Sequence, residues 1–183
     1  MNAGGIAQKA CFSGKIEVLK YVHEKGCLFS IHLCKIAASI NSLECLIYLR
    51  ENNVQWDADT LNAAIQSGSH ECINYAMKNR CPYDDRSIQL AASKGNLEAL
   101  KWLDQKNPGI DYSAPFSNLL VSTVRGGSLE CVKFLVEEKK VLVRFKQDLV
   151  ELARSDNFHD CVEYLQQLDP KYEAPPMQNG MWF

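Results

Sequence analysis

The chain lacks most of what marks an enzyme, a membrane protein or a nucleic-acid binder. No apolar run approaches the roughly 20 residues that a helix needs to cross a bilayer. Neither sign of charge dominates: 20 Lys and Arg stand against 22 Asp and Glu, a net charge of −2. Neutralising phosphates takes a basic face, so nucleic acid is not the expected partner. There is no glycine-rich phosphate loop, no Gly-x-Ser-x-Gly elbow and no His-Glu-x-x-His pair. The opening Met1-Asn2-Ala3-Gly4-Gly5 fits neither a signal peptide nor a myristoylation site. Histidines number only four. His70 and His159 fall in a column otherwise filled by Ile16, Leu43, Leu97 and Leu129, so they read as packed helix-start residues rather than general bases. No catalytic residue, metal ligand or cofactor is expected, and the chain reads as a non-enzyme.

What is present is a repeat. An acid recurs at Glu17, Glu44, Glu71, Glu98, Glu130 and Asp160, at intervals of 27, 27, 27, 32 and 30 residues. A period in this range is the mark of stacked supersecondary units. Seven residues before each acid stands a small residue: Ala10, Ala37, Ala64, Ala91, Thr123, Ala153. Three before it stands Gly14, Asn41, Gly68, Gly95, Gly127 or Asn157, residues that tolerate positive φ and so end a helix. Ser42, Ser69, Asn96 and Ser128 follow as N-caps, and the acid then meets the positive end of a second helix.

That second helix is apolar at four offsets from the acid. The position four residues after the acid is always aromatic: Tyr21, Tyr48, Tyr75, Trp102, Phe134, Tyr164. So wide a stripe suits a helix lying between two neighbours. After it the chain turns at Gly26, Asn53 or Arg80 and reaches Phe29-Ser30, Trp56-Asp57 or Tyr83-Asp84. An aromatic before a cap reads as a hydrophobic staple, with ligand stacking as the alternative.

The pattern Ala-Ala-x-x-Gly-x-x-Glu-x-x-x-x-Leu, cleanest at Ala91-Ala92-Ser93-Lys94-Gly95-Asn96-Leu97-Glu98-Ala99-Leu100-Lys101-Trp102-Leu103, resembles the ankyrin repeat across residues 4 to 168. It departs from that family in its shorter period, against about 33 residues. It also lacks Thr-Pro-Leu-His at the first helix, where Asp59-Thr60-Leu61-Asn62 and Arg86-Ser87-Ile88-Gln89 stand. It is similar to the abbreviated arrays common in amoebae, oomycetes and large DNA viruses. The resemblance implies an all-α, ankyrin-like helical-repeat solenoid of about six helix-turn-helix pairs with reduced or absent β-hairpins. The expected organisation is one domain over 1–168, with repeats near 1–27, 28–54, 55–81, 82–113, 114–143 and 144–168. Residues 169–183 would form a flexible tail, with Trp182-Phe183 either frayed, folded back or acting as a short motif.

Three stretches stand apart. His23, Cys27, His32 and Cys34 have metal-like composition, but their spacing is not the two tight pairs that zinc favours, and Cys34 aligns with core positions. Of the eight cysteines, Cys45, Cys72, Cys131 and Cys161 share one column and read as small buried hydrophobes. The connector 106–115 carries five extra residues. It is expected either to restore a finger-like loop with Tyr112 near its tip or to be an insertion of no consequence.

The family resemblance implies a concave face built by the first helices and connectors, presented to a protein partner. The two positions before each turn residue vary while the core columns do not. The expected partner-binding residues are Phe12, Ser39, Ile40, Gln66, Ser67, Ser93, Lys94 and Arg125, with Phe12, Ile40 and Arg125 as anchors. The implied protein is a monomeric interaction scaffold, intracellular and cytoplasmic (in the host cytoplasm if the chain is viral). The competing readings are a metal- or redox-responsive cysteine-rich repeat protein, and a structural homo-oligomer joined through its tail or an uncapped repeat end.

Overall fold

Positive φ is a property of single residues, and it sets the punctuation of this fold. The computed structural model describes residues 3–110, 112 and 119–174. Twelve α-helices occur among them: α1 (Ala3–Phe12), α2 (Ile16–Glu24), α3 (His32–Ser39), α4 (Leu43–Glu51), α5 (Ala58–Ser67), α6 (His70–Lys78), α7 (Asp85–Ser93), α8 (Leu97–Lys106), α9 (Leu119–Arg125), α10 (Leu129–Lys133), α11 (Lys146–Ser155) and α12 (His159–Gln166). The architecture is all-α: the described residues hold no strand, only an isolated parallel bridge between Val143 and Glu173. None of the described helices is long and apolar enough to cross a membrane.

Each odd-numbered helix is joined to the next by a turn that pivots on the expected residue. Gly14, Asn41, Gly68, Gly95, Gly127 and Asn157 all have positive φ, between 57° and 72°. The backbone NH after several of these turns reaches back to the small-residue column. Ser42 N donates to the Ala37 carbonyl at 2.9 Å, Ser69 N to Ala64 at 3.1 Å and Phe158 N to Ala153 at 2.8 Å. These are the long return bonds of a Schellman ending. The same ending closes the second helices at Gly26, Asn53 and Arg80 (φ 80°, 60° and 57°). There Cys27 N, Val54 N and Cys81 N donate to Val22, Leu49 and Ala76 at 3.1, 3.0 and 2.9 Å.

Several N-caps form as the sequence predicts. Ser69 and Ser128 hydroxyls accept from Cys72 N and Cys131 N, and Asn96 accepts from Ala99 N at 2.9 Å. Ser42 makes no such bond. Asp84 forms a reciprocal box at the start of α7: its carboxylate accepts from Ser87 N at 3.0 Å, and its own NH donates to the Ser87 hydroxyl at 3.1 Å. The two equivalent caps do not form. Asp57 makes no side-chain cap bond, and α3 starts one residue late, with Ile31 rather than Ser30 before it.

By its contacts the chain falls into two compact units: residues 1–91 with Lys101–Leu103, and Ala92–Leu100 with residues 104–183. In the first unit, first helices pack on first helices and second on second: α1 on α3, α3 on α5, α2 on α4, α4 on α6. The core columns are buried here, including Ala10, Ala37, Ala64, Leu46, Leu49, Ile73 and Ala76. Each large apolar side chain so buried contributes about 1.5–3 kcal/mol. The connector aromatics expected as staples pack edge-on against the aromatic column of the following second helix. Phe29 meets Tyr48, Trp56 meets Tyr75 and Tyr83 meets Trp102, with centroids 6.3, 6.0 and 5.7 Å apart. Such pairs add about 0.5–1.5 kcal/mol beyond burial. The hydroxyl of Thr60 is buried without a hydrogen-bond partner among the described residues.

In the second unit α9 packs on α11 and α10 on α12. After α10 the helix widens into a π-turn, Phe134–Glu138, closed by Lys139 N to the Phe134 carbonyl at 3.0 Å. Tyr112, expected at a loop tip, is instead 7% exposed. Its hydroxyl donates to Asp104 at 3.0 Å, and the same carboxylate pairs with Lys139 at 2.5 Å, so the ring and its polar end are both satisfied inside. Two glycines permit close packing. A Cβ on Gly126 would stand 2.1 Å from the Ser93 carbonyl oxygen, and one on Gly127 would stand 2.3 Å from the Phe158 ring. Phe158 is thus accommodated by the missing side chain at 127.

The expected tail is docked over its first residues. Pro170–Tyr172 form a short 3₁₀ turn capped by Asp169. Val143 N donates to the Tyr172 carbonyl at 2.8 Å, Ala174 N donates to Val143 at 3.0 Å, and the Lys146 ammonium pairs with Glu173 at 2.8 Å. Trp182-Phe183 lies outside the described residues.

Candidate interaction face

First helices placed side by side bring their exposed positions into rows one repeat apart. In the first unit a groove of about 290 Å³ runs along α3, α5 and the start of α7. It is lined by Lys35, Ser39, Asp59, Asn62, Ala63, Gln66, Ser67 and Arg86. Ser39, Gln66 and Ser67 were expected from the sequence. The others were missed, although Lys35, Asn62 and Ala63 lie one helical turn before Ser39, Gln66 and Ser67 and so share their face. Asp59 and Arg86 are themselves one 27-residue period apart.

Polar bonds hold the groove in shape. The Lys35 ammonium pairs with Asp59 at 2.7 Å, joining α3 to α5. The Ser67 hydroxyl donates to the carbonyls of Ala64 and Ala38, both at 3.0 Å, which ties the end of α5 to α3. The Asn62 amide donates to Asp84 at 3.1 Å and accepts from the Ser87 hydroxyl at 2.7 Å, which ties α5 to the start of α7. Burial pushes the Asp84 carboxyl up, but the bonds from Asn62 and Ser87 together outweigh it and hold it below the usual carboxylate range. Over this frame stand the exposed side chains of Gln66 and Arg86, and neither makes a hydrogen bond or ion pair among the described residues.

The remaining expected residues lie elsewhere. Phe12 is 59% exposed at the end of α1. Ile40 is half-buried in the turn after α3, its Cδ1 3.6 Å from where a Cβ on Gly14 would stand. Ser93, Lys94 and Arg125 belong to the second unit. Ser93 is half-buried, while Lys94 and Arg125 are exposed.

The first unit has a further groove on its other helices, about 370 Å³, lined by Ile16, Glu17, Lys20, Glu44, Ile47, Tyr48 and Glu51.

The thiols are poorly suited to chemistry. None of the eight is joined in a disulfide among the described residues, and all but Cys27 are buried. Burial pushes Cys11 and Cys81 up to about 12 and Cys34 up to about 11, so these sulfurs stay protonated and un-nucleophilic near neutrality. Within the His23, Cys27, His32, Cys34 set, His23 stacks on Phe29 at 4.3 Å and bonds the Tyr48 hydroxyl at 2.9 Å, while Cys34 is in the core. Among the described residues no three His, Cys, Asp or Glu side chains are grouped to hold a metal ion. No model of a known protein family matches the chain, and no curated protein matches it.

Proposed function

We propose that this chain is a non-enzymatic interaction scaffold, an ankyrin-like repeat array that receives a protein partner along the exposed face of its first helices. The observation that carries this reading is the groove over α3, α5 and α7. Its lining is drawn from columns 27 residues apart, its floor is fixed by bonds between successive helices, and Gln66 and Arg86 stand above it with unused donors. A face pre-set in this way loses little entropy on binding. Arg is a frequent interface anchor because its planar fork pairs with carboxylates.

The test is selection of binding peptides from a random phage library on the immobilised chain. Recovered peptides are then measured against a Gln66→Ala/Arg86→Glu variant and against Glu71→Gln, a change at an exposed residue of α6. The expected result is an affinity loss of about tenfold or more, roughly 1.4 kcal/mol, for the first variant and none for the second. Equal binding by all three, or no selected peptide, would overturn the reading.

A further inference from the structure

The Lys35–Asp59 pair closes one helix joint of the groove and has no counterpart at the next. It joins α3 to α5 at 2.7 Å. One 27-residue period on, the same two positions hold Asn62 and Arg86, and these do not pair. Asn62 turns instead to Asp84 and Ser87, at 3.1 and 2.7 Å. Arg86 thus stands in the column where the first joint has its acid. Its exposed guanidinium makes no hydrogen bond or ion pair among the described residues. The acids around it are committed. Asp59 is held by Lys35, and the Asp84 carboxylate takes the Asn62 amide and the Ser87 NH, so Arg86 acts on Asp84 only through space. Gln66 lines the same groove, exposed, with its amide NH2 and carbonyl both unused among the described residues. A primary amide of this kind matches the NH and C=O of a passing backbone.

We infer, on the scaffold reading above, that the groove takes an extended peptide segment whose Asp or Glu carboxylate pairs with Arg86 while Gln66 bonds its backbone. The partner supplies the acid that the second joint lacks, and the planar guanidinium fork accepts both carboxylate oxygens at once. The charge count selects a carboxylate over a phosphate. Lys35 and Asp59 cancel, so the lining carries one net positive charge, on Arg86. A monoanion balances it, whereas a phosphoryl dianion calls for a cluster of arginines. The span fits a chain that passes through rather than a single side chain. First helices packed at roughly 8–10 Å set α3 and α7 about 16–20 Å apart, a distance that about five or six extended residues cross. Because the Lys35 ammonium is taken by Asp59, the acid of the segment belongs at its α7 end.

Two short random-peptide phage libraries, one with all residues and one encoded without Asp and Glu, test this on the full chain. The first is expected to yield groove-binding peptides with an acid at one fixed place, and the second none. In a recovered peptide, changing that acid to Asn or Gln is expected to weaken binding about tenfold or more. The Arg86→Glu variant, with helicity checked by circular dichroism, is expected to lose the acidic peptide and to regain binding when Lys replaces the acid. Acid-free peptides that bind the same groove as tightly would overturn the carboxylate and leave the scaffold reading standing. So would a recovered peptide indifferent to losing its acid. No binder from either library would overturn both together.

Discussion

The two units solve the same packing problem with different devices. In the first, the acids recur every 27 residues and the pairs are joined by repeated polar and aromatic contacts. Ser67 donates to the Ala38 carbonyl, Ser69 to Asn41, and three connector aromatics each meet the ring 19 residues on. In the second, intervals of 32 and 30 residues break that register. Close approach at Gly126 and Gly127, a π-turn and the Tyr112–Asp104–Lys139 cluster take over. Where the period is constant, one contact can be used again at each step. Where it changes, each joint needs its own fit and tolerates substitution less well.

The sharpest way to break this contrast is to add one methyl group in each unit. Gly126→Ala places Cβ on the Ser93 carbonyl, a backbone atom that cannot swing aside. The expected loss in denaturant unfolding is about 3 kcal/mol, at the upper end of what overpacking costs. Gly68→Ala in the first unit meets nothing within 4 Å and strains only a φ of +72°, so its expected loss is about 1–2 kcal/mol. Equal losses would mean that the second unit is no tighter than the first.

A single hydroxyl gives a smaller effect. Tyr112→Phe removes a hydrogen bond to a charged carboxylate and is expected to lower stability by about 1.5–3 kcal/mol. Tyr75→Phe, on a ring that packs against Trp56 and whose hydroxyl makes no hydrogen bond among the described residues, is expected to change it by less than about 0.5 kcal/mol. Thermal unfolding of the two variants side by side checks the pair.

Acid titration tests the polar joints of the first unit. The Asp84 carboxyl titrates below its ordinary value, so the folded state binds its proton less readily than the unfolded chain does. Its contribution is complete above the unfolded value of about 4 and is lost as pH falls from there through the folded value. Asp84→Asn is expected to be less stable at neutral pH and to lose less stability below about pH 4. Parallel acid-unfolding curves would contradict the role of this box. The one substitution expected to be neutral or stabilising is Thr60→Val. It removes a buried hydroxyl with no partner and should leave the melting temperature unchanged or raise it by the equivalent of up to about 1 kcal/mol.

What was legible in the sequence was local. Gly14, Asn41, Gly68 and their counterparts announce positive φ because few residues accept it, and Ser69, Asn96 and Ser128 announce caps because their oxygens reach the next turn. Lys140 and Phe145 adopt the same backbone with no such signal. Contacts between distant residues were harder to read. Trp56 reads as a staple toward α5, the next helix in sequence, and its contact with the Tyr75 ring on α6 carried no sequence signal. Tyr112 looked exposed because it follows Pro108-Gly109, and only the convergence of Asp104 and Lys139 explains its burial. The groove was half legible. Ser39, Gln66 and Ser67 came from the turn columns, whereas Lys35, Asp59 and Arg86 needed the face to be followed back along each helix.

The most direct test of the account is amide chemical-shift mapping of a selected peptide on the isotope-labelled chain. The account predicts that the perturbed amides centre on Lys35, Ser39, Asn62, Gln66 and Arg86. A map centred instead on Ile16, Glu44 and Ile47, the groove on the opposite set of helices, would contradict it.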